Sequence, residues 1–175
     1  MSKQEISTRD RILNAVESLL KEQGSKGVTL DAVAASAGVS KGGLLYHFGS
    51  KSELYDGVVA RLREREQHYL DEARNGDAVE LFMRGSAAPD SDAANLWAIF
   101  TFLRGNEELS DQAREDIAYT FQGWGEVLRD SLGDPVLAEA VRLIGDGVYL
   151  SALAGLPLPS EELVSQIIDR LVGEK

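Results

Sequence analysis

Thr29-Leu-Asp-Ala-Val-Ala-Ala-Ser-Ala-Gly-Val-Ser-Lys-Gly-Gly-Leu-Leu-Tyr-His-Phe-Gly-Ser-Lys51 is the stretch whose reading decides the fold. It reads as a helix, a tight turn, a second short helix and the start of a third. Thr29 is a good N-cap, and Val33, Ala34 and Ala37 give the first helix an apolar face. Gly38 stops that helix, because glycine takes positive φ freely. Ser40 caps the next one. Within it Leu44 and Phe48 stand one turn apart and point inward, which leaves Lys41, Gly42, Leu45 and Tyr46 on the outer side. Gly42 and Gly43 each weaken a helix by roughly 1 kcal/mol relative to alanine. Close approach to another surface is the natural compensation. This is the pattern of a helix-turn-helix, whose second helix enters the DNA major groove.

The residues from Gly38 to Lys51, including Lys41, Tyr46, His47 and the two glycines, closely resemble the signature of the TetR family of bacterial transcription regulators. The resemblance runs from about Thr8 to Leu54. It implies an all-α fold with an N-terminal three-helix DNA-binding domain, here residues 1–51. A C-terminal helical domain for effector binding and dimerisation follows, here residues 52–175.

The charge distribution agrees with that division. Net charge is −11 over 175 residues. Residues 1–51 carry seven Lys/Arg against five Asp/Glu, or +2, whereas residues 52–175 carry eleven against twenty-four, or −13. Only the N-terminal part approaches phosphate without strong repulsion. The absence of cysteine excludes a disulfide scaffold, thiolate zinc sites and thiol catalysis, and suits a reducing cytoplasm. Met1 to Asp10 is polar, unlike a secretory signal, and no apolar run is long enough for a membrane span.

Outward from the central motif, the periodicity and caps predict about nine helices and no strand. Ser7 or Thr8 opens the first, with Ile12, Leu13, Val16, Leu19 and Leu20 as its stripe. Ser50 and Glu53 form a capping box that opens a long helix reaching about Asn75, and Leu54, Val58, Leu62 and Tyr69 line it. Its middle, Arg61 to Glu66, reads as a charged surface face. A short helix over Ala78 to Met83 precedes a loop-like run from Gly85 to Asp92. Helices then follow over Asp92 to Arg104, Ser110 to Leu132, Pro135 to about Leu153, and from Ser160 to Val172. Asp134-Pro135 is a strong start signal.

At the DNA, Thr29 and the N–H groups of its helix are expected to meet phosphate. Ser40 caps and then contacts phosphate or base, and Lys41 is the best candidate for guanine O6/N7 or phosphate. Gly42 and Gly43 let backbone approach bases, and Tyr46 and His47 bond phosphates. Lys51 beside a helix N-terminus makes a phosphate clamp. Many members of the family carry an aromatic where this chain has Leu45, which instead suits a thymine methyl. The stripes of the two C-terminal helices, with Val141, Ile144, Val148, Leu163, Ile167 and Leu171, are wide enough to suggest a homodimer through a four-helix bundle. Trp97, Phe100, Phe121, Trp124 and Tyr149 form an aromatic group suited to a small, largely apolar or aromatic effector. A cationic effector is a variant of that reading, with Glu126 and Asp146 as its acids.

The resulting expectation is a homodimeric repressor of a double-stranded operator, with no cofactor and no metal. Its alternatives are an activator or ligand-dependent DNA binder, and a helical small-molecule-binding protein with a vestigial DNA head. An enzyme lacks support: there is no cysteine, no serine elbow and no phosphate loop, and only two separated histidines, His47 and His68.

Overall fold

The computed structural model describes residues 6–87 and 109–173. Among them are eight α-helices, one 3-10 turn and no strand. The helices are α1 (Thr8–Gln23), α2 (Leu30–Ala37), α3 (Lys41–His47), α4 (Lys51–Asn75), α5 (Ala78–Ala87), α6 (Asp111–Leu132), α7 (Pro135–Leu153) and α8 (Glu161–Val172). The helix expected over Asp92 to Arg104 lies outside the described residues, and with it Trp97 and Phe100.

Local chemistry sets most of the boundaries. The side chains of Ser7, Thr29, Ser40, Asp134 and Ser160 each accept a backbone N–H from the first turn of the following helix. Asp77 and Ser110 do the same for α5 and α6. Gly38 sits at φ 65° and ψ 38°. Its N–H reaches Ala35 O at 3.2 Å and the Val39 N–H reaches Ala34 O at 3.0 Å, the paired bonds of a Schellman stop. The Ser50 hydroxyl accepts the Glu53 N–H at 3.1 Å, but the Glu53 carboxylate turns back to the N–H of Gly49 rather than of Ser50. One boundary moves. α5 runs through Gly85 and Ser86 to Ala87, where the sequence suggests a loop from Gly85. The buried Ser86 hydroxyl donates to Phe82 O at 2.9 Å and is satisfied inside the helix.

The chain forms two compact units. The first holds residues up to Arg63 together with the described part of 98–117. Here α1 packs on α2, and α2 on α3. Ile12, Leu13, Val16, Leu20, Val28, Val33, Leu44, Phe48, Leu54 and Val58 are all buried. Gly57 of α4 is a close-approach position, since a Cβ there would lie 2.8 Å from the Phe48 ring. The second unit holds the described part of 64–97 and residues from Ala118 onward. Its core is built on Leu70, Phe82, Met83, Val127, Leu128, Val141 and Val148, and α5 packs on α7. Gly145 lets this happen: a Cβ there would stand 2.3 Å from the Phe82 ring. The α4 helix contributes to both units.

Candidate functional site

The α3 helix is short because Ser40 starts it and Phe48, in extended backbone, ends it. Leu44 and Phe48 anchor it inward, both buried. Its other side is open. Ser40, Lys41, Gly42, Leu45, Tyr46 and His47 are all exposed, as is Thr29 at the start of α2, and Gly43 is half-buried. Tyr46 is 87% exposed, with its ring edge-on to His47 at 5.3 Å. The residues expected at DNA therefore share one accessible side of α3 and the entrance to α2. The two glycines divide in meaning. A Cβ on Gly43 would crowd the Ser40 hydroxyl at 3.2 Å, so the cap accounts for it. A Cβ on Gly42 would meet nothing within 4 Å, so nothing in the free protein requires a glycine there.

That openness yields a prediction with opposite signs. Gly42→Ala raises the unfolding free energy by about 0.5–1 kcal/mol through helix propensity. The same variant is expected to weaken binding to duplex DNA, since its methyl would stand where the sequence reading brings backbone close to the partner. Denaturant melts and gel shifts on the same preparation check both; unchanged DNA affinity would refute the close approach.

The cations around α3 are partly engaged. Lys41 Nζ lies 2.9 Å from Asp31 Oδ1 across the turn, an exposed pair of small energetic weight that DNA phosphate can outcompete. Lys51 stands at the first position of α4 with Nζ 5.4 Å from the Tyr55 ring centroid. The Arg9 guanidinium stacks over the Phe48 ring at 5.0 Å, which holds it on the protein's own surface.

The C-terminal expectations meet a more divided structure. Trp124 is half-buried and Tyr149 buried in the second unit, while the side chain of Phe121 is outside the described set. Burial pushes the Tyr149 phenol well up. Of the residues expected to face a partner chain, Val141 is 0% exposed and Val148 is buried, so both close the core of the single chain and are corrected out of that role. Ile144 is partly buried against the same core. Leu163, Ile167 and Leu171 remain exposed. The outward apolar face of α7 is instead Val136, Leu143 and Leu150, the last two 58% exposed. The acids suggested for a cation are also elsewhere. Asp146 accepts from Arg142 at 2.5 Å, and Glu126 lines a polar cleft of about 300 Å³ with Gln122, Arg129, Glu139 and Arg142.

The stretch Arg61 to Glu66 is not the solvated face its composition suggests. Arg61 donates to Glu17 Oε1 from two nitrogens and to Asn14 Oδ1 at 2.8 Å. Arg63 pairs with Asp116. Glu66 is 6% exposed and accepts the Trp124 indole N–H at 2.5 Å. Desolvation raises its carboxyl to about 7, and the indole bond offsets this only in part. The spacing carries a signal for it: Leu62, Glu66, Leu70 and Ala73 follow one another at 4, 4 and 3 residues, so Glu66 occupies the buried stripe. Tyr69, read as part of that stripe, is 39% exposed.

Comparison with known proteins now decides the lineage. Residues 12–58 match the family model of bacterial regulatory proteins, tetR family, and residues 76–174 match the tetracyclin repressor-like C-terminal domain. The chain belongs to the TetR family. Among curated TetR-like relatives, the transcriptional repressor BepR of Brucella suis is 31% identical over 70 residues. That match covers 40% of this chain and 34% of the repressor, so the chain matches about a third of that relative's length. A member of the TetR family from Streptomyces coelicolor superposes with TM-score 0.73 at 22% identity, covering 95% of this chain and 98% of that one. The multidrug binding protein EbrR, crystallised with malachite green, gives TM-score 0.70 at 22% identity, covering 93% and 96%. At that identity the structural likenesses establish the TetR fold. No described helix is long and apolar enough to cross a membrane, and no group of three or more His, Asp or Glu among the described residues can hold a metal ion.

Proposed function

We propose that this protein is a cytoplasmic homodimeric repressor, released from a palindromic operator by a small, largely apolar or aromatic ligand. Residues 1–51 bind DNA, and residues 52–175 bind the effector and dimerise. The observation that carries the DNA part is the open side of α3, where Lys41, Gly42, Leu45, Tyr46 and His47 stand clear of the protein's own core. In this reading Thr29, Tyr46, His47 and Lys51 position the head on phosphates. Lys41, with Ser40, Gly43 and Leu45, reads base edges. Two heads seat about one DNA turn apart, ~34 Å, and the dimer gains specificity that a single short helix lacks. The apolar face that supports the dimer is Val136, Leu143 and Leu150 of α7 with Leu163, Ile167 and Leu171 of α8. The effector acts by its difference in affinity for the DNA-competent and released states, and α4 is the covalent path between the head and the rest.

A duplex selected by the wild-type protein from a randomised library tests this. Lys51→Ala weakens binding to every sequence and lowers the salt slope by about one. Lys41→Ala also changes which bases are preferred. Equal losses across the library for both variants would refute the division of roles, and a solution mass of one chain on that duplex would refute the homodimer.

A further inference from the structure

Among the described residues of the second unit, one buried carboxylate is not explained by its own packing. Glu66 lies in the interior on α4, and its partner is a single neutral donor, the Trp124 Nε1–H at 2.5 Å. Among the described residues no cation pairs with it. Elsewhere in this unit Asp71 pairs with Arg74, and Glu139 and Asp146 share Arg142. Its surroundings are apolar and aromatic. Trp124 leans on Phe82 with ring centroids 5.2 Å apart and planes at 46°, and Leu70, one turn along α4 from Glu66, belongs to the same core. A buried carboxylate without a cation is expensive, and a glutamine would satisfy the indole N–H equally well. The acid therefore offers something that the indole does not use: a negative charge beside aromatic faces.

We infer that Glu66, with Trp124 and Phe82, is the receiving point for the positive charge of a flat organic cation, which exchanges the indole N–H for full charge on the carboxylate. The inference rests on the effector reading above and narrows it to one chemical class. Cation–carboxylate attraction and cation–π contact reinforce one another where water is excluded. It also moves the acid of the site from Glu126 and Asp146, which belong to a polar cleft and an arginine pair, to a residue inside the core.

The test uses two ligands of one shape, 10-methylacridinium and its neutral isostere 9-methylanthracene. Both are titrated by fluorescence against the full chain at pH 8 without DNA. Wild type binds the cation more tightly than the neutral ring. Glu66→Gln, which keeps an acceptor for the indole, weakens the cation by about tenfold or more and leaves the neutral ring unchanged. Equal binding of the cation by wild type and Glu66→Gln would overturn the inference, as would a wild type that takes only 9-methylanthracene, and either leaves the effector reading standing. A wild type that binds neither ring overturns both.

Discussion

Raising the pH from 5 to 8 destabilises this protein by about 3 kcal/mol through one residue, and Glu66→Gln removes that loss. Burial lifts the Glu66 carboxyl from its ordinary 4.5 to about 7 in the folded chain. Between those values the folded state holds a proton that the unfolded state has released. Stability therefore falls as pH rises through that window, and this group adds no slope below about 4.5 or above about 7. Between pH 5 and the folded-state value the span is about 2 pH units, and at about 1.4 kcal/mol per unit this gives the stated size. Denaturant unfolding of wild type and Glu66→Gln at pH 5 and 8 isolates the effect from all other titrating groups. The variant is the more stable at pH 8 and matches wild type at pH 5. Parallel profiles for the two proteins would mean that the carboxylate is solvated.

Arg61→Ala costs about 3 kcal/mol or more, while Arg74→Ala, thirteen residues on, costs within about 0.5 kcal/mol. Both arginines sit on α4 and both form ion pairs. Arg61 and Glu17 are 15% and 11% exposed, whereas Arg74 and Asp71 are 39% and 56% exposed. Removing Arg61 takes its guanidinium from the buried Glu17 carboxylate and its donors from Asn14 Oδ1 and Asp10 O. It thereby loosens α4 from α1, within the unit that carries α3. Arg61→Lys recovers part of the loss, since one ammonium replaces a fork of donors. Urea unfolding of the three variants measures the contrast. A loss below 1 kcal/mol for Arg61→Ala would place the pair in high dielectric.

These two arginines, alike in sequence and different in the folded chain, mark the boundary of what was legible. Whatever depends on neighbours within one helical turn could be read from residue types alone. Ser40 and Thr29 cap because their hydroxyls reach an N–H three residues on. Gly38 stops α2 because its own backbone takes φ 65°. Leu44 and Phe48 point away from Lys41 and Tyr46 because a helix has 3.6 residues per turn. The open side of α3 follows from those facts, and with it the family signature.

Tertiary contact alone decided the rest. α7 is apolar on more than one side, so periodicity cannot say whether Val141 and Val148 or Leu143 and Leu150 meet the chain's own core; Phe82 seated on Gly145 settles it. Arg61 to Glu66 has the composition of a wet surface, but partners some fifty residues away in the chain meet it, Glu17 of α1 at Arg61 and Trp124 of α6 at Glu66. A charge is cheap in water and costly in a core, and which of the two surrounds it depends on which helices pack there. Sequence determined how this chain would present α3; only the packed structure determined that Glu66 would be a buried acid.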